Sequence, residues 1–305
     1  MKFFKVLFLI LFIFILCVLI YLPVMIMPQF LGQRYIQLQF ESEDFGIVSE
    51  RITLMTDDSL LLAAWRTQVE ESKGTVIIIS GLQNPSVTAF FGYAKMLSNH
   101  GWDSLLIEKR ARSQSAGDEI GFGMTEWRDV NAGVSFLLSD EHVGYKPIVV
   151  MGTSMGAGTA IIAAGEIPVI NAVIALSSPS KFSDLWADNT TLYGFPRIVG
   201  LVSIPFVEMY LGFKFGFYAL RLNPTNGIMK LDQRPILLMQ STQDTQVPFR
   251  QFVKLLKNAN DNGINVTTFV RDGDWHFICY DQYFDNPIED IQFSKAIFDF
   301  LDTVR

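Results

Sequence analysis

The pentapeptide from Gly152 to Gly156 has the pattern G-x-S-x-G and carries the first candidate catalytic side chain, Ser154. It follows an apolar run, Pro147 to Met151, and precedes an alanine-rich stretch that begins at Ala157. A strand, a tight glycine turn and a helix in this order lift a serine hydroxyl out at the carboxyl end of a buried strand. The pattern alone is common, so its partner residues decide whether Ser154 is a nucleophile.

A serine hydroxyl is a weak nucleophile at neutral pH and needs a histidine to take its proton and a carboxylate to orient that histidine. The chain has three histidines. His100 follows a predicted helix and His142 precedes the predicted strand before Ser154, so we expect both at the amino ends of strands, away from Ser154. His276 follows the last predicted strand, at the carboxyl edge where open α/β sheets bind ligands. We therefore predict His276 as the general base.

Asp244 is the candidate acid that would orient His276. It follows the predicted strand Pro235 to Gln240 and should lie at the same edge of the sheet. An aspartate just before a turn can instead serve as an Asx-turn residue that caps the next helix, but its place at a strand's carboxyl end favours the catalytic role. Asp272 and Asp274 are alternatives, and their closeness in sequence to His276 makes an approach from a neighbouring strand difficult.

An acyl-transfer site also needs backbone N–H groups that bind the oxygen on which negative charge develops. One donor follows the nucleophile, and the other comes from the turn after the third strand. These positions are Met155 and Leu82, and Gly81 allows a sharp turn before Leu82. A glycine turn with a purely structural role explains this segment equally well, so the assignment depends on the rest of the site.

Short apolar runs alternate with stretches of helical periodicity through most of the chain. Two strands, Ile47 to Leu54 and Leu60 to Gln68, flank a polar turn of hairpin length and supply antiparallel edge strands. Further buried strands, separated by helices, are predicted at Thr75 to Ile79, Ser104 to Glu108, Pro147 to Met151, Ala172 to Ser177, Pro235 to Gln240 and Val266 to Phe269. This alternation indicates an α/β fold with a mostly parallel sheet and helices on both faces.

The alternation stops between about residues 178 and 234, where aromatic residues are frequent and charges are thin. We predict a helical insertion that caps the site. Its apolar side chains either simply pack on the sheet or line a pocket for a lipid-like substrate. After it, the last helix is predicted to begin with Asn286 as N-cap, Pro287 at the first helical position and Glu289 where a capping-box carboxylate belongs.

The N-terminal segment from Val6 to Met27 is almost uninterrupted Leu, Ile, Phe, Val and Met, about the twenty residues that a helix needs to cross a bilayer. A cleavable signal peptide would have a shorter apolar region that ends at small residues. Lys2 and Lys5 precede the segment and acidic residues follow it, which favours a cytoplasmic N-terminus. We predict a single-pass signal-anchor at residues 1–30, a linker at 31–46 and a catalytic domain, outside the cytoplasm, at 47–305.

Composition narrows the function classes. The chain has 305 residues, half of them apolar, which is enough for this segment and one large domain. A net charge of −7 without any run of Lys or Arg argues against a nucleic-acid partner. Cys17 and Cys279 lie at opposite ends of the chain, so we predict neither a disulfide framework nor a cysteine metal site.

With Ser154, Asp244 and His276 in this order, the chain resembles the α/β-hydrolase superfamily over residues 47–305. It is similar in particular to membrane-tethered members related to serine aminopeptidases, monoacylglycerol lipases and esterases. The segment Glu108 to Gly117 looks like the family's acidic-x-R-G-x-G-x-S-x-G segment after the fourth strand, and the residues around Asp244 resemble its G-T-x-D-x-x-V-P segment.

Three positions depart from the family pattern. Ser80 stands before Gly81 where the family usually has histidine, and Ala111 and Ser113 replace expected glycines. None of the three supplies a triad side chain, so these departures bear on the substrate more than on the triad.

The resemblance implies a serine hydrolase that cleaves carboxylic esters, of lipid-like or acyl substrates, through an acyl-enzyme and without a metal or organic cofactor. A peptidase or an acyltransferase of the same fold and a non-catalytic binding protein on this scaffold are the alternatives. A peptidase would usually need an acidic patch for a substrate amino terminus, and acidic residues such as Glu208 are sparse in the insertion. The natural substrate and the oligomeric state stay open.

Overall fold

The computed structural model describes residues 2–83, 85–141 and 143–304. An eight-stranded sheet forms its centre. The strands are β1 Ser49–Met55, β2 Leu61–Thr67, β3 Thr75–Ile79, β4 Asp103–Ile107, β5 Ile148–Thr153, β6 Ala172–Leu176, β7 Ile236–Ser241 and β8 Val266–Arg271. Their spatial order is β1-β2-β4-β3-β5-β6-β7-β8. β2 pairs antiparallel with β1 and β4, and the remaining neighbours pair in parallel.

Helices cover both faces of this sheet. They are α1 Lys2–Leu31, α2 Phe91–Asn99, α3 Trp127–Leu138, α4 Met155–Glu166, α5 Phe182–Asn189, α6 Arg197–Phe215, α7 Pro224–Ile228, α8 Phe249–Asp261 and α9 Ile291–Leu301. The helices α3, α4, α7 and α8 contribute to the core on one face, and α2 and α9 to the core on the other. The predicted mostly parallel sheet with helices on both faces is confirmed.

The buried strands are continuous apolar runs because both of their faces are covered. In β3, Ile77 and Ile79 join the core on one face, whereas Val76 and Ile78 join the core on the other. Successive side chains of a strand point to opposite faces, so a strand between two helical layers needs apolar residues at every position. Because β5, β6, β7 and β8 pair in parallel, their carboxyl ends lie at one edge of the sheet.

The predicted start of the last helix is wrong. Pro287–Glu289 form only a short 3₁₀ turn, in which the Asn286 side-chain amide donates to Glu289 Oε1 at 2.7 Å. The α-helix α9 begins at Ile291, and its N-cap is Asp290, whose carboxylate accepts a hydrogen bond from Phe293 N at 3.2 Å. Arg271 forms a buried ion pair with Asp290 and fixes it there, a long-range contact that a local capping pattern does not contain.

The end of α1 and the residues after it lie against the rest of the protein. Met27 and Leu31 are fully buried in a cluster with Met155 and with residues of α6. Beyond Leu31, the chain forms isolated bridges to the segments after β4, between Gly32 and Glu119 and between Arg34 and Arg112. By length and composition, α1 is suited to a membrane anchor or to a signal sequence, and α6 is the second helix of the described residues that is long and apolar enough to span.

Candidate active site

Ser154 lies in the turn between β5 and α4, with φ 55° and ψ −122°. A positive φ is strained for a residue with a side chain and is typical of functional turns. The flanking glycines allow the strand and helix to approach this closely: a Cβ on Gly152 would lie 2.2 Å from the Gly156 carbonyl oxygen, and one on Gly156 would lie 2.4 Å from that of Ile79. The G-x-S-x-G pattern is therefore required by backbone contact on both sides of Ser154.

His276 and Asp244 lie in hydrogen-bond contact. The distance from His276 Nδ1 is 2.9 Å to Asp244 Oδ2 and 3.2 Å to Oδ1. The side chain of Asp244 is fully buried, and that of His276 is 10% exposed. The loop after β7 and the loop after β8 thus bring the two predicted side chains together.

The Asp244 carboxylate is held by three further donors. Oδ1 accepts from the backbone N–H groups of Gln246 at 2.8 Å and Val247 at 2.9 Å, and Oδ2 accepts from Gln240 Nε2 at 3.1 Å. Burial by itself raises the pKa of Asp244, but the hydrogen bond and charge of His276 and the two backbone donors outweigh it, so the pKa lies below its usual value. Asp244 is therefore ionised at neutral pH.

Hydrogen bonds also fix the loop that carries His276. Ser177 Oγ donates to the His276 carbonyl oxygen at 2.7 Å, and Ser241 Oγ donates to the Trp275 carbonyl oxygen at 3.0 Å. Ser177 follows β6 and Ser241 ends β7, so the two strands that lie between Ser154 and β8 both hold the loop.

The rival acids and the other histidines have different partners. Asp272 accepts from Thr242 Oγ1 at 2.6 Å, and the Asp274 carboxylate accepts from the backbone and side chain of Thr245 at 3.1 Å. His100 caps the end of α2, contacts Asp302 at 2.8 Å and stacks on Phe298. His142 lies outside the described residues.

Ser154 and His276 line the same cavity, of about 390 Å³, at the carboxyl edge of the sheet. Its other walls are Phe30, Gly81, Leu82, Gln83, Asn189, Leu192, Gln246 and Phe277. This cavity joins residues of the sheet edge, of the predicted insertion and of α1. We refer to it as the serine cavity.

The segments that carry the two predicted oxyanion donors adjoin Ser154. A Cβ on Gly81 would be 3.5 Å from the Ser154 Cβ, so the turn that contains Leu82 passes next to the serine. Met155 is the first residue of α4, and N–H groups in the first turn of a helix have no partner within it. For the N–H of Leu82, the part of the chain that the structure describes offers no backbone acceptor. The two predicted donors thus belong to the two turns that adjoin Ser154.

Ser80 stands where the family usually has histidine. Its hydroxyl oxygen accepts a hydrogen bond from Lys109 Nζ at 3.0 Å. Lys109 is fully buried, and burial lowers the pKa of its ammonium group to about 8. A serine is small enough to leave room for this lysine directly behind the oxyanion turn.

At the other two departures, the backbone keeps the conformation that glycine favours. Ala111 has φ 56° and Ser113 has φ 46°. Between them, Arg112 is completely buried and its guanidinium joins two parts of the molecule: Nε donates to Leu82 O at 3.2 Å, while Nη1 donates to Gly32 O at 3.0 Å and Nη2 to Phe30 O at 3.2 Å. Arg112 therefore connects the oxyanion turn to the end of α1.

Sequence reasoning missed Arg112, Gln240 and Phe30. A glutamine at the end of an otherwise apolar strand is a usable signal for Gln240, because a buried amide must find partners. Arg112 and Phe30 carry no such signal: an arginine in a polar loop is usually exposed, and a phenylalanine in an apolar helix is usually lipid-facing. In the described residues, no group of three or more His, Cys, Asp or Glu side chains is arranged to hold a metal ion.

The model of the prolyl oligopeptidase family matches residues 121–303, which is more than half of the chain and includes Ser154, Asp244 and His276. The chain belongs to the prolyl oligopeptidase family. It is accordingly a serine hydrolase with the α/β-hydrolase fold. The predicted α/β-hydrolase superfamily is confirmed.

Similar proteins include esterases and peptidases. The uncharacterized protein YqkD of Bacillus subtilis is 25% identical over 71% of this chain and 72% of its own length. An esterase of Pyrococcus furiosus superposes with a TM-score of 0.72 at 22% identity, covering 90% of this chain and 98% of the esterase. An acylaminoacyl peptidase of Pyrococcus horikoshii superposes with a TM-score of 0.64 at 16% identity, covering 84% of this chain and 41% of the peptidase. At these identities the superpositions establish the fold.

Proposed function

We propose that this protein hydrolyses carboxylic esters, with Ser154 as nucleophile, His276 as general base and acid, and Asp244 as the orienting carboxylate. The observation that carries the proposal is that Ser154 and His276 line one cavity while the Asp244 carboxylate is hydrogen-bonded to Nδ1 of the imidazole. The strained turn at Ser154 and the low pKa of Asp244 support it, because the mechanism requires a hydroxyl that reaches the cavity and an ionised acid.

The reaction would proceed in two steps. His276 takes the Ser154 proton while the serine oxygen bonds to the ester carbonyl carbon, and the N–H groups of Leu82 and Met155 bind the resulting oxyanion. The tetrahedral intermediate expels the alcohol, which receives the proton from His276. Water, deprotonated by His276, then attacks the acyl-enzyme, and the carboxylic acid leaves with Ser154 restored.

Lipid-like or acyl esters are the proposed substrates. The cap helix α6 is rich in apolar residues, and the wall of the serine cavity includes Phe30, Leu82 and Leu192. Glu208, the acidic residue in α6, is paired with Lys181 and accepts from Ser183 Oγ at 2.8 Å. It is therefore engaged within the protein, which disfavours its use as a receptor for the amino terminus of a peptide.

The test uses the full-length protein in detergent micelles. We expect a fluorophosphonate probe to label the wild type and not Ser154→Ala, and we expect hydrolysis of p-nitrophenyl esters to exceed hydrolysis of matched anilides and of peptides with a free amino terminus. Faster cleavage of the peptides would favour the peptidase alternative, to which the family name and the acylaminoacyl peptidase superposition lend weight.

Two further outcomes address the remaining alternatives. Transfer of the acyl group to an added alcohol in preference to water would identify an acyltransferase. A wild type that is neither labelled nor active on any ester would contradict the enzyme and support a binding protein.

We also propose that α1 stays attached as a signal-anchor with the catalytic domain outside the cytoplasm. Lys2 and Lys5 before the apolar segment support this orientation. Protease added to intact cells should then digest the domain, and the chain isolated from membranes should keep its N-terminal residues. A domain that is protected in intact cells and digested only after lysis would contradict the orientation.

A further inference from the structure

A second cavity, of about 290 Å³, adjoins the serine cavity. The two share four wall residues, Phe30, Leu82, Asn189 and Leu192. The rest of the second cavity is formed by α1 on one side and by α5 and the turn after it on the other, and most of its lining is apolar. A substrate group bound there would lie next to the oxyanion turn, because Leu82 belongs to both cavities.

The helix α1 contributes Leu22, Ile26, Gln29 and Phe30 to this second cavity. The buried residues Pro23, Met27 and Leu31 are spaced four apart and form the stripe that packs on the protein. Leu22, Ile26 and Phe30, one position before each of them, are half-buried and line the cavity along the edge of this stripe. The contact between α1 and the domain thus leaves a cavity beside it.

The length of α1 places this cavity near the end of a membrane span. A helix of 30 residues is about 45 Å long, whereas the hydrocarbon core of a bilayer is about 30 Å thick. If the span begins near Phe3, about ten residues at the end of α1 extend beyond the hydrocarbon, and these include the residues that line the cavity. Three apolar side chains of the cap that line the same cavity are also exposed, Leu192, Tyr193 and Phe195.

Polar residues distinguish the other side of the serine cavity. Gln83 and Gln246 line the serine cavity and do not line the second one. A polar alcohol, such as a glycerol-like headgroup, therefore fits the glutamine side, and an apolar acyl chain fits the side of α1.

We propose that the end of α1 forms one wall of an acyl-chain pocket, and that the acyl chain of a membrane ester enters this pocket from the bilayer surface between α1 and α5. The helix that anchors the protein is then also part of its substrate site. This inference rests on the proposed ester hydrolysis. It adds where the acyl chain of the substrate binds and from which direction it enters.

The test compares two tryptophan substitutions one residue apart on α1, in the full-length protein in detergent micelles. Ile26→Trp fills the pocket, whereas Met25 is 52% exposed and Met25→Trp serves as the matched control. With p-nitrophenyl esters from acetate to dodecanoate, we expect Ile26→Trp to lower kcat/KM for the dodecanoate about tenfold or more, because several methylenes lose their contacts. The ratio of dodecanoate to acetate kcat/KM should fall in Ile26→Trp, whereas the whole chain-length profile of Met25→Trp should match the wild type.

A substitution on the opposite wall of the pocket provides a second variant in case Ile26→Trp impairs folding. Leu192 lies in the cap and is 59% exposed, so Leu192→Trp should be tolerated and should shift the preference toward short chains in the same way. If the wild type cleaves esters and both variants keep its chain-length profile, or if they lower acetate and dodecanoate rates equally, the pocket assignment is wrong. If the wild type cleaves no ester in the series, the proposed function itself fails.

Discussion

The two sides of the serine cavity are held by different forces. On the side of β7 and β8, the loops that carry Asp244 and His276 are fixed by hydrogen bonds from Ser177, Gln240 and Ser241. On the side of the cap, α1 packs on α6 through apolar contacts around Met27, Leu31 and Val207. Directional bonds fix atoms to within a few tenths of an ångström, whereas apolar contacts are non-directional and tolerate changes of shape. The first side suits the proposed chemistry and the second suits a chain of variable length.

Ser154→Ala gives the largest expected effect and tests whether the hydrogen-bonded side is catalytic. Esterase turnover should fall by about 10⁵-fold or more, because the nucleophile is lost. The melting temperature should change little, since the half-buried hydroxyl contributes little packing. Ser139→Ala, at an exposed serine remote from the cavity, is the control. Equal turnover in the two variants would contradict the role of Ser154.

Asp244→Asn separates the proposed acid from its neighbours. We expect kcat to fall by about 10⁴-fold, because an amide no longer holds the imidazole in the required tautomer. Asp272→Asn and Asp274→Asn should keep kcat within a few-fold of the wild type, since these residues bind Thr242 and Thr245 instead. If kcat falls only in Asp272→Asn or only in Asp274→Asn, the orienting carboxylate belongs to the loop that carries His276.

Arg112→Met tests the connection between the two sides. Without its guanidinium, the oxyanion turn is no longer joined to the carbonyl groups of Phe30 and Gly32. We expect kcat to fall by about 100-fold with KM nearly unchanged, because a displaced Leu82 N–H weakens binding of the transition state more than of the substrate. Arg128→Met, which breaks an exposed pair with Asp57, should leave both constants unchanged.

A rise in KM at unchanged kcat for Arg112→Met would mean that Arg112 supports only the pocket. A fall in melting temperature without either kinetic change would limit it to a structural role. Either result would mean that Arg112 does not couple the end of α1 to the oxyanion turn during catalysis.

Lys109→Met has the smallest expected effect and concerns stability. The buried Lys109 has a pKa of about 8, below its value in the unfolded chain. Below pH 8 both states carry the proton, and the folded state bears the full cost of the buried charge. Between pH 8 and the unfolded pKa only the unfolded state keeps the proton, so the wild type gains stability as the pH rises.

Relative to Lys109→Met, the free energy of unfolding of the wild type should therefore increase by about 2 kcal/mol between pH 7 and pH 9.5. Urea unfolding of both proteins at the two pH values measures this difference. A constant difference would show that Lys109 keeps its ordinary pKa beside Ser80.

Much of the sheet and of the hydrogen-bonded side could be predicted from the sequence. The apolar run of β3 and the pentapeptide around Ser154 are local patterns, and the rule that parallel strands end at one edge places His276 and Asp244 together. The start of α9 was predicted wrongly because Asp290 is selected as N-cap by Arg271, a residue nineteen positions earlier in the chain.

The sequence by itself determined the α/β architecture and the order of the candidate catalytic residues, because local periodicity and short motifs encode strands, helices and turns. Only the tertiary structure decided that the end of α1 lies against the cavity, with Phe30 in its wall. It also decided that Arg112 joins the end of α1 to the oxyanion turn. An apolar helix presents similar side chains to lipid and to protein, so its sequence does not distinguish the face that packs on the domain. That choice depends on which surface of the folded domain lies beside the helix.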